Sequence, residues 1–211
     1  LNVEQLTILI PARNEEKNIR RCIESIDLSN NHIKEIVVLD DNSEDQTWNI
    51  LEEISKKNSK IILNKGKHKP DGWSGKSYAC YQLSKFPSTE WMLFIDADTE
   101  LKQDAPERLL SYAIEKNVSM LSAWPKIEMK SFSEKLLMPL LNFIVFTTFP
   151  AIYAKKSNMP SLGLAHGACI LFNKKIYDDI SGHKLVKDSL FEDTDLACLL
   201  YTSPSPRDRS S

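Results

Sequence analysis

The sequence predicts an α/β chain built on a doubly wound, mostly parallel sheet flanked by helices. Two observations carry that prediction. Short β-branched runs alternate with segments of helical periodicity, the pattern of successive βα units. Acidic clusters stand where several strand runs end, and the carboxyl ends of strands are where such sheets bind ligands.

The elements follow in order. Leu6-Thr-Ile-Leu-Ile10 is an apolar run closed by Pro11, as expected of a buried parallel strand. Ile19, Cys22, Ile23 and Ile26 recur at helical spacing, so the spacing predicts a helix over 14–26. Glu35-Ile-Val-Val-Leu39 is a second strand that runs into Asp40-Asp41-Asn42-Ser43. A second helix over 45–57 places Trp48, Leu51 and Ile54 on one face. Ile61–Leu63 is a third strand, 77–84 a third helix, and Trp91–Ile95 a fourth strand broken by Asp96-Ala97-Asp98. A helix over 107–116 and a strand over 119–124 complete the alternation.

Leu136–Tyr153 departs from it, being apolar over 18 residues and followed by Lys155 and Lys156. Three readings fit that length: a membrane span, a helix lying in the membrane interface or covering a lipid groove, and a buried core helix. Pro139 and Pro150 argue against the span, because proline breaks a helix.

At 211 residues the chain suffices for one sizeable domain. Its 27 basic and 29 acidic residues are well mixed, giving a formal net charge of -2 and no basic surplus for a nucleic-acid partner. Cys22, Cys80, Cys169 and Cys198 lie far apart, which predicts isolated reduced thiols and neither disulfides nor a zinc site. Residues 198–208 resemble a translated sequencing adapter, the other reading being a natural Ser/Pro-rich tail. The expected catalytic domain is therefore 1–197, with 198–211 set aside and native sequence expected beyond both ends.

Asp96 and Asp98 suit a hard divalent cation, which takes one or two carboxylates plus phosphate oxygens. Such an ion neutralises charge building on a departing diphosphate. Solvated loop aspartates are the plain alternative. Asp40 and Asp41 put a second acidic pair at a strand end, with Asp41 or Ser43 also expected to cap the next helix. Gly72-Trp-Ser-Gly-Lys-Ser77 is no P-loop, because Pro70 occupies the first glycine position. It does place Lys76 at a helix start, where a cation and a helix N-terminus favour phosphate. Glu192 and Asp193 form a third cluster, able either to take a proton from an acceptor hydroxyl or simply to populate an acidic first helical turn. His166 and His183 both neighbour glycines, which permits close approach to a ligand; taken singly, a structural or surface role is the better reading of each.

Taken in order, these pieces resemble the family-2 glycosyltransferases, whose fold is GT-A, a Rossmann-like sheet. Ile8-Leu-Ile-Pro-Ala-Arg-Asn-Glu-Glu16 is similar to the opening strand and donor turn. Val38-Leu-Asp-Asp-Asn-Ser-Glu-Asp-Gln-Thr47 is similar to the strand end that meets the nucleoside, Asp96-Ala-Asp98 to the D-x-D site, and Glu192-Asp193 to the acceptor-side E-D motif. Asp71-Gly-Trp-Ser-Gly-Lys-Ser-Tyr-Ala-Cys80, Ala165-His-Gly167 and Ser181-Gly-His183 resemble the bacterial branch acting on carotenoid acids and the related hopene-associated enzymes.

The resemblance implies an inverting hexosyltransferase that uses a UDP-sugar, Mg2+ or Mn2+, and a lipid-like acceptor at the cytoplasmic face of a bacterial membrane. It implies Asp193 as general base and Asp98 with Asp96 as metal ligands. Pro11, Ala12, Glu15, Asp40, Asp41, Lys76 and Asp96 fall on the donor side. Glu192, His183, Gly182 and His166 fall on the acceptor side. Two other functions share these features. A nucleotidyltransferase would release pyrophosphate, and a silent nucleotide-sugar-binding module would bind donor without turnover.

Overall fold

Strand β1 (Leu6–Ala12) lies at the middle of the sheet, and its side chains are buried on both faces, with Leu6, Ile8, Leu9 and Ile10 all fully excluded from solvent. That is why the run shows no polar alternation. The computed structural model describes residues 3–124, 126, 131–148, 166–189 and 192–202. Among these, β2 (Ile33–Asp40), β3 (Ile61–Lys65), β4 (Trp91–Ile95), β5 (Met120–Ser122) and β6 (Cys169–Asn173) join β1 in the order β3-β2-β1-β4-β6-β5. β1 pairs in parallel with β2 and β4, and β2 with β3. β6 runs antiparallel to both its neighbours, with Ile95 opposite Cys169. The sheet is thus mostly parallel with one reversed strand, and the sequence reading had no counterpart for β6.

Two apolar layers pack against it. On one face Ile8, Ile10, Ile36 and Val38 meet Ile19, Cys22 and Ile23 of α1 (Ile19–Glu24), Leu51 and Ile54 of α2 (Thr47–Ser55), and Leu110 and Ala113 of α4 (Ala105–Lys116). On the other, Leu9, Val37, Leu39 and Phe94 meet Ala79, Cys80 and Leu83 of α3 (Gly75–Leu83), Tyr177 of α6 (Lys174–Asp179), and Leu196 of α7 (Glu192–Thr202). Helices on both faces make the sheet doubly wound, as predicted. Burying each large aliphatic side chain in these layers is worth about 1.5–3 kcal/mol.

Several boundaries differ from the sequence reading. α1 starts at Ile19 and not near Asn14, because Asn14 takes a left-handed φ of 57° and its side chain accepts the Glu44 N–H at 2.8 Å. Neither Asp41 nor Ser43 caps α2. Ser43 Oγ accepts the Asn14 N–H at 2.9 Å, and Asp45 Oδ1 takes the Thr47 N–H at 2.9 Å, so loop-to-loop bonding displaces the expected cap.

α5 (Phe132–Thr148) continues through Pro139, against the expectation that proline would break it. Proline removes one rung of the ladder and bends a helix without forbidding it, and Pro139 is exposed. No helix among the described residues is long and apolar enough to cross a membrane. Phe132, Leu136, Leu137, Leu140 and Phe143 of α5 are all exposed. Residues 149–156, which hold the rest of the apolar run and the two lysines, lie outside the described residues. α7 runs past Ala197 to Thr202, with Leu199 and Leu200 packed on the second layer. The adapter-like segment therefore begins inside a helix, and 203–211 lie outside the described residues.

Candidate functional site

Because β1, β2 and β4 are parallel, their carboxyl ends fall on one rim of the sheet. That rim carries Pro11 and Ala12 at the end of β1, Asp40 at the end of β2, and Asp96 one residue past β4. β6 is reversed, so its beginning meets the same rim: the Asp96 N–H donates to the Ala168 carbonyl at 3.1 Å. Gly167 is thereby placed beside Asp96.

α3 brings in the cation. Ser74 caps it by accepting the Ser77 N–H at 3.1 Å, which sets Lys76 in the first turn as expected. Lys76 Nζ lies 3.0 Å from Asp96 Oδ1 and 3.5 Å from Glu192 Oε1. It thus bridges the rim of β4 and the first turn of α7. A Cβ at Gly167 would come within 3.1 Å of Lys76 Nζ and 3.2 Å of Asp193 Oδ2, so only glycine leaves both groups that close. Pro11, Lys76, Asp96, His183, Glu192 and Asp193 line one pocket, with Cys80, Phe94 and Phe172 among its apolar walls. Glu192 and Asp193 occupy a helical first turn, as one reading of the third acidic cluster expected, and they also line the pocket.

Charge is unevenly matched here. Burial raises the Asp96 carboxyl, Lys76 pulls it down, and Asp98 pushes it up, for a net rise. Burial alone would lower the Lys76 ammonium, but Asp96, Cys80 and Glu192 outweigh it and raise the group. Lys76 is therefore charged near neutral pH, while the Asp96 carboxylate is under-compensated by one lysine.

That imbalance bears on the metal. Asp96 and Asp98 supply hard oxygen ligands at a strand end, and Asp98 is exposed. No group of three or more His, Cys, Asp or Glu among the described residues could hold an ion by itself. Two carboxylates that rely on phosphate oxygens for the remaining ligands fit Mg2+ or Mn2+.

The other predicted residues, Asp98 among them, are not among those lining the pocket. Asp41 is buried beside the pocket, its Oδ2 3.6 Å from Arg13 Nη1 and close under Gly75, the residue before Lys76. Its N–H donates to the Ala12 carbonyl at 2.8 Å. Asp40 is 4% exposed, and its buried Oδ1 has no hydrogen-bond partner among the described residues. Glu15 is engaged locally, accepting from Asn18 Nδ2 at 2.9 Å. His166 Nδ1 faces the Ala168 N–H at 3.2 Å and its ring packs edge-on against Trp124, so it supports the rim without lining the pocket.

His183 does line the pocket, and its setting was not foreseen. Tyr177 Oη lies 2.6 Å from His183 Nδ1 and accepts the His183 N–H at 3.1 Å. Gly182, with φ of 43°, lets the backbone lie against the Tyr177 ring. The signal in the sequence was Gly182, which pointed to close approach; nothing marked Tyr177 as what approaches. Burial, with a smaller effect from Lys76, lowers the imidazole from 6.5 to about 3. A depressed folded-state value means that the unfolded chain takes up a proton the folded chain refuses. The contribution is present above pH 6.5 and is lost as pH falls from there toward 3. Denaturant titrations at pH 7 and pH 5 are expected to show a larger loss for wild type than for His183→Gln, and equal losses would contradict this.

The sequence matches the family described as Glycosyl transferase family 2 over residues 7–181. The chain belongs to glycosyl transferase family 2. This family-2 chain is 32% identical, over 209 residues, to the 4,4'-diaponeurosporenoate glycosyltransferase of Staphylococcus aureus, covering 97% of this chain and 53% of that protein. It spans about half the length of the curated relatives it matches. Among solved structures it is similar to the mannosyltransferase PcManGT of Pyrobaculum calidifontis, in complex with GDP-Man and Mn2+, at 17% identity and a TM-score of 0.65, covering 91% of this chain and 50% of that one. It is similar too to S. aureus TarS in complex with UDP, at 18% identity and a TM-score of 0.59, covering 93% and 55%. The fold is GT-A.

Proposed function

We propose that the chain transfers a hexose from a UDP-sugar to a hydroxyl or carboxyl of a carotenoid-like or other lipid-like acceptor, with inversion at the anomeric carbon. The carrying observation is the single pocket in which Lys76, Asp96, Glu192 and Asp193 converge around Gly167. The likeness to relatives acting on diaponeurosporenoate supports the acceptor class, and the TarS complex supports UDP.

In this reading Asp40, Asp41, Glu15, Pro11 and Ala12 position the nucleoside. The unsatisfied Asp40 Oδ1 accepts one of its hydrogen bonds. Asp98 and Asp96 would hold Mg2+ or Mn2+ with the donor's phosphates, where the ion neutralises charge on the diphosphate. Lys76 adds a second positive charge beside the leaving group. Asp193 takes the proton of an acceptor hydroxyl as its oxygen attacks, a direct displacement with no protein nucleophile. For a carboxylate acceptor, ionised already near neutral pH, Asp193 orients the attacking oxygen instead. The exposed apolar side chains of α5 support a membrane surface as the setting, which we read as the cytoplasmic face of a bacterial cell membrane.

Incubation with UDP-sugar, Mn2+ and an isoprenoid acid or alcohol is expected to release UDP and form a glycolipid visible by mass spectrometry. Pyrophosphate release would mark a nucleotidyltransferase instead. Chelation is expected to stop turnover, with Mn2+ restoring it in wild type and not in Asp98→Ala; undiminished turnover by that variant would remove the metal role.

A further inference from the structure

Tyr177 takes no part in the reaction as described, yet the fold commits several features to it. It is among the largest fully buried side chains, 1% exposed, and its hydroxyl is turned toward residue 183. A side chain at Gly182 would run into three carbons of its ring. Phe94 completes the enclosure, with ring centroids 5.4 Å from His183 and 6.1 Å from Tyr177.

Hydrogen-bond geometry narrows which atom carries the proton. The His183 backbone N–H can only donate, so Tyr177 Oη accepts there. The hydroxyl's own proton then goes to His183 Nδ1 or to Ser84, whose hydroxyl donates to the Tyr81 carbonyl at 2.8 Å. Were it given to Ser84, Nδ1 would be the donor to Oη. N–H···O bonds run about 2.7–3.2 Å, and O–H donors to oxygen about 2.5–3.0 Å. The short 2.6 Å separation favours the hydroxyl as the donor. With Nδ1 as the acceptor, the hydrogen of a neutral ring sits on Nε2. A neutral ring is also what burial beside Lys76 favours.

We propose that Tyr177 is a positioning residue that locks His183 in the neutral Nε2–H form, so that the pocket offers an uncharged hydrogen-bond donor to a substrate oxygen beside Lys76. The inference rests on the glycosyl-transfer reading for its substrate and on the Tyr177–His183 geometry alone for the tautomer. Such a donor is complementary to its neighbours. Lys76 already supplies charge, whereas a second cation there would repel it, and an Nδ1–H form would present a lone pair to an anionic substrate.

The test uses 15N-labelled full chain. Long-range 1H–15N correlation spectra at pH 7 are expected to show His183 Nδ1 unprotonated and Nε2 protonated without donor present. Tyr177→Phe is expected to collapse that preference and to lower kcat about 10- to 100-fold with donor KM little changed, as for a lost hydrogen bond to a charged group. His183→Gln, whose amide can donate from nearly the Nε2 position, is expected to retain more kcat than His183→Leu. A protonated Nδ1 in the wild-type spectrum, or equal kcat for the Gln and Leu variants, would overturn the proposal. Absence of transfer in wild type together with the expected tautomer would strike the glycosyl-transfer reading and leave the lock standing.

Discussion

Asp193→Asn is expected to reduce transfer to a hydroxyl acceptor by about 100- to 10,000-fold, the usual range for a lost general base. The substitution keeps the size of the side chain, and its carbonyl oxygen can still accept the Thr194 N–H that Asp193 Oδ1 takes at 2.8 Å. What disappears is the ability to hold a proton. Glu192 is poorly placed to substitute, since its carboxylate is engaged with Lys76 at 3.5 Å. UDP binding should change little, because Asp193 lies on α7 and the donor side is built from the ends of β1, β2 and β4. Single-turnover rates at saturating donor, with UDP affinity by calorimetry, separate the two effects. A variant whose loss lies wholly in acceptor KM would show that Asp193 orients the acceptor and does not deprotonate it, as expected for a carboxylate acceptor.

The second large effect is on stability. Gly182→Ala is expected to cost about 2–5 kcal/mol. A left-handed backbone costs an L-residue roughly 1–2 kcal/mol, and overpacking a filled core adds about 1–3 kcal/mol. The φ of 43° and the Tyr177 ring beneath the missing Cβ impose both terms at one position. Against a total stability of about 5–15 kcal/mol this is a heavy loss. It should register as a lowered denaturant midpoint at unchanged slope. A midpoint within error of wild type would mean that the backbone at 182 does not lie on that ring.

Much of the donor side was legible in the sequence because it depends on local patterns. Apolar runs ending in Pro11, Asp40 and Asp96 place their last residues at a rim once the strands are parallel, and Ser74 marks the start of the helix that carries Lys76. The acceptor side was less so. Cys169-Ile-Leu-Phe-Asn173 is nearly as apolar as β4, but nothing in its four buried residues states that they run opposite to β4. That direction is decided by pairing between residues 74 to 82 positions apart, from Ile95 with Cys169 to Trp91 with Asn173. The role of Gly167 depends on it, since only a reversed β6 brings its first residues to the Asp96 end. Tyr177 was invisible for a related reason: its hydroxyl matters through the backbone of residue 183, a contact no periodicity encodes. The capping expected of Asp41 or Ser43 failed because the Asn14 backbone N–H donates to the Ser43 hydroxyl and Asp41 pairs instead with Arg13.

The pairing of Ile95 with Cys169 works as a gauge. In the proposed reaction it would fix how far a leaving group anchored past β4 stands from an attacking group near Gly167. Sliding β6 by one pairing step of two residues would move that glycine about 7 Å along the sheet, farther than any proton or glycosyl transfer can reach. On the proposed reading, the span a sugar would travel is thus set by backbone ladder bonds, and side chains lining the cleft could diversify without altering it.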